Sequence, residues 1–132
     1  MARSADDHRY RIVLARPSGP LRSVLDLALQ SSEDFAVVAE PMTGHDAIDA
    51  VRWCHSDAIV LGVLLPGVNA LRLLPLIRTM APDATVMVLA VEPTARFVHV
   101  VKARGADLCE QSDTPPPLLL QRLLAQLEPA TI

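Results

Sequence analysis

The segment Ala58-Ile-Val-Leu-Gly-Val63 decides the fold, because it is apolar at almost every position. A strand with one solvated face alternates apolar and polar residues, whereas a continuous apolar run predicts a strand that is buried on both faces. Such a strand belongs at the centre of a parallel sheet that helices cover on both sides. The predicted turn Leu65-Pro66-Gly67 follows, and Asn69 is the predicted N-cap of a helix over Ala70–Met80.

Short β-branched runs alternate with longer amphipathic stretches on both sides of this segment. The predicted strands are Tyr10–Ala15, Phe35–Glu40, Ala58–Val63, Thr85–Ala90 and Asp107–Gln111. The predicted helices are Pro20–Ser31, Thr43 or Gly44 to about Cys54, Ala70–Met80, Thr94–Arg104 and a last helix that runs to Leu127. Pro75 is expected to kink the third helix, and Gly105 to end the fourth. Thr114 and Pro115 are the predicted start of the last helix. Five β–α units in strict alternation predict an α/β fold with right-handed crossovers and helices on both faces.

The composition suits one compact domain of a cytoplasmic protein. The 132 residues are 51% hydrophobic, and we expect a single domain over residues 9–128 between a flexible flank (1–8) and a short tail (129–132). The net charge is −3 and the basic residues are scattered, which argues against direct nucleic-acid binding. Cys54 and Cys109 are predicted to be buried thiols in a reducing compartment. We expect neither a signal peptide nor a membrane helix, because the start is polar and no apolar run is long enough.

Several short motifs, in this order and at this spacing, match one known family. They are Phe35–Glu40 with Gly44–Val51, Leu65-Pro66-Gly67, Ala81-Pro82-Asp83, Gly105-Ala106-Asp107 and Asp113–Pro116. Together they resemble motifs of CheY-like receiver domains, particularly those of NarL/LuxR-type response regulators. In order, they are similar to that family's second strand and helix, its Met-Pro-Gly turn, its Ala-Pro-Asp and Gly-Ala-Asp loops and the start of its last helix. The resemblance covers nearly the whole chain. It implies a flavodoxin-like, doubly wound five-stranded sheet in the order 2-1-3-4-5.

A phosphorylated receiver carries five functional residues at its strand ends. Two acids hold Mg²⁺, an Asp attacks the phosphoryl donor, a Thr or Ser contacts the phosphoryl oxygen, and a Lys neutralises it. Carried over position by position, the resemblance assigns these places to Arg16, Pro17, Gly62, Ala90 and Ser112. Because no carboxylate remains and Arg16 repels a divalent cation, it implies a degenerate phosphorylation pocket with no catalytic residue, metal or cofactor.

Two other groups of polar residues lie outside these five positions. Asp6-Asp7-His8 contains an acidic pair, but it precedes the first strand and would lie roughly 20 Å from the strand's other end. We therefore expect it to be a solvated flank. The four histidines show no metal-ligand spacing.

Arg16 and the emptied pocket each have two interpretations. Arg16 is either a surface side chain over the sheet end, or it fills the former metal space, pairs with Glu40 or Glu92 and fixes one conformation. The pocket has either closed or become a site for a small ligand. We expect closure, because protein interiors leave few voids.

The predicted last helix has more leucines than one buried stripe requires. Leu118 and Leu124 are predicted to be exposed and to form an interaction surface with Phe97 and Val101 of the fourth helix. The alternative is a terminal helix that is buried around most of its circumference.

These features favour a non-enzymatic, phosphorylation-independent pseudo-receiver that acts in signal transduction. Its expected partner is a protein, namely a histidine kinase, regulator or effector, or a second copy in a homodimer. The domain would be free-standing or the regulatory part of a NarL/LuxR-type transcription regulator. Because no helix-turn-helix segment is present, we expect no direct DNA contact by this chain, and no membrane contact. The alternative is a sensor that binds a metabolite in the emptied pocket.

Overall fold

The computed structural model describes residues 9–17, 19–65 and 68–128. The strands are β1 (Tyr10–Ala15), β2 (Phe35–Ala39), β3 (Ala58–Gly62), β4 (Leu64–Leu65), β5 (Val68–Asn69), β6 (Thr85–Ala90) and β7 (Leu108–Gln111). The helices are α1 (Pro20–Ser31), α2 (Gly44–Trp53), α3 (Ala70–Met80), α4 (Ala95–Ala103) and α5 (Pro116–Leu127). The predicted flank, tail and acidic pair, and Pro66-Gly67 of the predicted turn, lie outside the described residues.

The main sheet is parallel and has the order β2-β1-β3-β6-β7. Since β6 and β7 are its fourth and fifth strands, the predicted order 2-1-3-4-5 is confirmed. All five residues of β3 are buried, as the continuous apolar run requires. The fold class is therefore the predicted flavodoxin-like one.

The core forms two layers, one on each face of the sheet. Val13, Ile59 and Val88 face a cluster that α2, α3 and α4 complete. Ile12, Val60 and Leu89 face a second cluster that α1 and α5 complete. Neighbouring residues of one strand thus enter opposite layers, as the period-two geometry of a strand dictates. The doubly wound arrangement is confirmed.

Polar residues at the helix starts explain most of the helix boundaries. The side chains of Thr43, Asn69 and Thr94 accept hydrogen bonds from Asp46 N, Leu71 N and Phe97 N, so each caps its helix. The prediction that Thr114 caps the last helix was wrong by one residue, because Pro115 holds the cap position and Pro116 begins α5.

Pro75 lies inside α3, as expected, and its consequence is visible in the hydrogen bonding. Proline has no amide hydrogen, so the carbonyl of Leu71 lacks its usual helical donor. The guanidinium of Arg104 donates to that carbonyl at 3.2 Å instead. A side chain from the end of α4 thus compensates for the proline in α3.

Arg78 joins three segments at the amino-terminal edge of the sheet. Its guanidinium donates to Ala84 O at 2.7 Å, to Gly105 O and to Asp107 Oδ2 at 2.9 Å. Asp107 also accepts from the amide of Val86 at 2.8 Å. Gly105 has φ +127°, a conformation that favours glycine. These hydrogen bonds tie α3 to the starts of β6 and β7.

Candidate functional site

The structure brings the five predicted pocket residues together at the carboxyl-terminal edge of the sheet. Arg16 and Pro17 follow β1, Gly62 ends β3, Ala90 ends β6 and Ser112 follows β7. All five line one cleft of about 620 Å³. In folds of this class ligands bind at this edge, outside the ends of the strands.

The cleft contradicts the expectation that the emptied pocket has closed. That expectation rested on close packing in the interior, but the strand ends lie at the surface, where helices and loops can form walls around an open space. The walls here are largely apolar: Leu21, Val63, Leu89, Val91, Pro93 and Phe97. Val91 is 81% exposed, so part of this apolar surface faces solvent.

Arg16 lies across the floor of the cleft and is only 7% exposed. Its Nη2 donates to the carbonyl of Ser112 at 3.4 Å, a long hydrogen bond. Burial lowers the pKa of the Arg16 guanidinium, because low polarity disfavours the charged form. The group nevertheless stays protonated at neutral pH, since arginine starts from so high a value.

Gly62 is the residue that lets Arg16 lie there. A Cβ atom at this position would be 3.2 Å from Cγ of Arg16 and 3.2 Å from Cδ of Pro17. Ordinary carbon–carbon contacts are about 3.5–4.0 Å. The absence of a side chain at the tip of the central strand and the position of the Arg16 side chain are therefore linked.

The predicted ion pair of Arg16 with Glu40 is corrected by the structure. Glu40 binds Arg22 of α1 instead, with Arg22 Nη2 at 3.2 Å from Glu40 Oε1. Arg22 lies in the first turn of α1 and thus reaches Glu40, which follows β2. Within the part of the chain that the structure describes, Arg16 has no ion pair, with Glu92 or with any other acid.

The acids near the cleft differ in their surroundings. The pKa of Glu40 is raised, first by loss of water and then by hydrogen bonding and repulsion from Asp26, while Arg22 opposes the shift. Glu92 is exposed, lines the mouth of the cleft and has φ 44° in the left-handed region. Arg22 Nε is buried and has no hydrogen-bond partner among the described residues. Sequence reasoning missed Arg22, because helical periodicity alone does not show which acid it reaches.

The predicted interaction surface is only partly exposed. Val101 is completely buried in the core, so its assignment to the surface was wrong: α4 turns this residue toward the sheet. Leu118 is 37% exposed, whereas Leu124 and Phe97 are half-buried against the two core clusters. The structure also exposes three apolar residues of α1 that were not predicted to lie at an interaction surface: Leu21, Val24 and Leu27.

Other candidate chemistry is sparse in the described residues. Both Cys54 and Cys109 are free and half-buried. Burial, with the negative charge of Glu110, raises the pKa of the Cys109 thiol, while Lys102 opposes the shift. Across residues 9–17, 19–65 and 68–128, no group of three His, Cys, Asp or Glu side chains is arranged to hold a metal ion. Over the same ranges, no helix has the length and apolarity needed to span a bilayer.

No family model matches the sequence. Among curated proteins, it is 24% identical over 115 residues to a nitrate/nitrite response regulator protein homolog of Haemophilus influenzae, covering 87% of this chain and 55% of that protein. It is 28% identical over 103 residues to the nitrate/nitrite response regulator protein NarL of Escherichia coli, covering 78% and 48%. The chain therefore spans about half the length of the curated relatives it matches.

A solved structure with the same fold is the signal receiver domain of a response regulator NarL from Mycobacterium tuberculosis. It superposes with a TM-score of 0.83 over 91% of this chain and 97% of that chain, at 19% identity. The chain thus has the fold of a CheY-like response-regulator receiver domain. The curated relatives that it resembles at 24–28% identity include, more particularly, nitrate/nitrite response regulators.

Proposed function

We propose that this chain is a receiver domain that signals through protein contacts without being phosphorylated. The observation that carries the proposal is Gly62 at the tip of β3, with Arg16 packed against it. A phosphorylated receiver needs a carboxylate at that tip and a divalent cation beside it. Here the tip has no side chain, and the neighbouring group is a guanidinium.

Electrostatics and ligand chemistry both support this reading. Mg²⁺ takes oxygen ligands in an octahedral arrangement, usually with one or two carboxylates. Of the acids, only Glu92 lines the cleft among the residues the structure describes, and it lies at the exposed mouth. Arg16 adds a buried positive charge where the metal would bind. We expect neither metal binding nor an aspartyl phosphate at this site.

The signalling partner in this proposal is a protein: a histidine kinase, a regulator or effector, or a second copy of the chain. Exposed apolar residues on α1 and α5 offer surfaces for it, with Leu27 at 68% and Leu118 at 37% exposure. By analogy with its relatives, the domain would be the regulatory part of a cytoplasmic NarL/LuxR-type transcription regulator. Control would then come from the partner rather than from phosphorylation.

Beryllofluoride, a mimic of the phosphoryl group, tests the proposal when it is added with Mg²⁺. We expect unchanged amide NMR shifts for residues 16, 62, 90 and 112 and an unchanged sedimentation coefficient, because the anion and the metal have no shared carboxylate to bind. A receiver domain with an intact Asp serves as the positive control. Shifts at the strand ends that require both Mg²⁺ and beryllofluoride would refute the proposal.

Paired substitutions separate an α5 interface from general surface effects. If Leu118 lies in a protein contact, Leu118→Glu weakens self-association or partner binding, since a charge in an apolar interface is costly. Leu76→Glu on α3 is the matched control, because Leu76 is 51% exposed on the other face of the sheet. Equal effects of both substitutions, or none from Leu118→Glu, would remove α5 from the proposal.

A second candidate function is small-molecule sensing, which the open cleft favours. A volume of about 620 Å³ falls within the range of ligand sites in proteins. The two functions are compatible, because a ligand in the cleft would contact α1 and the loop before α4, next to the exposed apolar residues.

A further inference from the structure

The cleft has the shape and lining of a site for a small organic molecule. Pockets of about 300–1,000 Å³ bury most of a drug-sized ligand, and their walls are mainly apolar with a few placed polar groups. This cleft, at about 620 Å³, matches that description, with Leu89 and Phe97 on its walls. A ligand that fills it must therefore present a largely apolar body.

Arg16 supplies the placed charge. It is 7% exposed and has no ion pair among the described residues, and its hydrogen bond to Ser112 O is long, at 3.4 Å. A buried cation without a counterion is unfavourable, and buried charges in proteins are normally paired. Arg22, the other arginine of the cleft, is already neutralised by Glu40. One negative charge on a ligand would thus complete the site.

The start of α1 adds to the positive potential at the same place. Gly19 is its N-cap and offers no side chain, and Pro20 and Leu21 also line the cleft. The amino-terminal end of a helix of this length carries a partial positive charge. An anionic group near Arg16 would therefore be attracted by the guanidinium and by the helix end.

The same features argue against a phosphate ester or another dianion. Phosphate sites usually combine several cationic or amide donors. Here a single guanidinium is uncompensated, no lysine lines the cleft within the described residues, and Glu92 lies at the mouth. A single negative charge on an apolar body fits this balance better.

We propose that the cleft binds an organic monocarboxylate with a largely apolar body, and that its carboxylate pairs with the guanidinium of Arg16. This deepens the second candidate function and rests on it. Arginine suits the role, because its planar donors match both carboxylate oxygens. The apolar body would lie against Val63, Val91 and Phe97.

Isothermal titration calorimetry on the full chain tests the proposal with three carboxylates, each beside its neutral amide: naphthalene-1-acetate, indole-3-acetate and decanoate. We expect at least one acid to bind about tenfold or more tightly than its amide, because only the acid can neutralise Arg16. That preference should disappear in Arg16→Gln and persist in Arg96→Gln, an exposed arginine outside the cleft. Inorganic phosphate is expected to bind more weakly than the acid.

Leu21→Glu is a second variant that does not depend on the stability of Arg16→Gln. Leu21 is 45% exposed and lines the cleft, so a carboxylate there repels the ligand without disturbing the core. We expect it to weaken binding of the acid by a larger factor than binding of the amide, because only the acid is repelled by the new carboxylate. The proposal is overturned if none of the acids binds, if acids and amides bind equally, or if phosphate binds as well as the acids. Such failure leaves the phosphorylation-independent function standing, since beryllofluoride tests that function separately.

Discussion

Substituting Gly62 by alanine probes the contact on which the site depends. The added methyl group would be 3.2 Å from Cγ of Arg16 and from Cδ of Pro17. Arg16 is buried and the Pro17 ring is rigid, so neither atom can move away freely. Because the backbone of Gly62 is outside the left-handed region, the substitution adds no backbone strain to the folded state.

The expected magnitude follows from two opposing contributions. Overpacking a well-filled site costs about 1–3 kcal/mol. Replacing Gly by Ala restricts the unfolded chain and stabilises the fold by about 0.4–1 kcal/mol. We therefore expect Gly62→Ala to lower the free energy of unfolding by about 1–2 kcal/mol.

A double-mutant cycle tests whether contact with Arg16 causes the loss of stability in Gly62→Ala. Arg16→Ala removes Cγ but leaves Pro17, so in that background the cost of Gly62→Ala should fall by about 0.5–1 kcal/mol. Urea denaturation followed by far-ultraviolet circular dichroism is the assay, because Trp53 is 76% exposed and its fluorescence reports little on the core. Gly19→Ala is the control, since a Cβ there meets no atom within 4 Å.

Two results would refute the packing argument. One is a Gly62→Ala protein that is as stable as the unmodified chain or more stable. The other is an unchanged cost of Gly62→Ala in the Arg16→Ala background. Either result means that the Arg16 side chain does not lie over the end of β3.

Three further predictions concern stability away from the cleft. Arg78→Met should lower the free energy of unfolding by about 2–4 kcal/mol, because two part-buried carbonyls and Asp107 lose a charged donor. Urea denaturation measures this loss, and it should show a loss of under about 1 kcal/mol for the control Arg122→Met, whose ion pair with Glu110 is partly exposed. Pro75→Ala should raise the free energy of unfolding by about 1–2 kcal/mol, because the proline side chain is exposed and the new amide can donate to Leu71 O. Thermal denaturation checks this, and a lower melting temperature than that of the unmodified chain would contradict it. The pKa of the Cys109 thiol is raised, so the fold favours its neutral form; the stability that this contributes is complete below the ordinary value of 9.0 and is lost as pH rises through the higher folded-state pKa. Cys109→Ala should therefore lose less stability than the unmodified chain as pH rises above 9.0. An identical pH profile of the two proteins would contradict the assignment.

The sequence allowed the sheet and its helices to be predicted, because periodicity and capping residues are local signals. The continuous apolar run at Ala58–Val63 identified the central strand, and Asn69 marked the start of α3. The short antiparallel pair of β4 and β5 was missed, because strands of two residues have no period to detect. Thr114 was predicted as the N-cap of the last helix because a threonine before prolines is a typical helix start, but Pro115 holds that position.

The candidate site was predictable in its members but not in its contacts. The resemblance to receiver domains assigned Arg16, Gly62 and Ser112 to one site, and in a parallel sheet the strand ends that carry them do meet at one edge. Whether the space between them stays open depends on how α1 and the loop before α4 pack, which is a tertiary property. The partner of Glu40 and the burial of Val101 likewise depend on how α1 and α4 are rotated about their axes, and this rotation cannot be read from the amino-acid composition.

Intact-mass spectrometry after incubation with acetyl phosphate and Mg²⁺ tests the central claim most directly. Because the central strand ends in Gly62, packed against Arg16, no carboxylate stands at the tip of that strand to accept the phosphoryl group, so we predict an unchanged mass. An acid-labile adduct of one phosphoryl group that forms only with Mg²⁺ would contradict the claim, and peptide mapping of the adduct would identify the true acceptor.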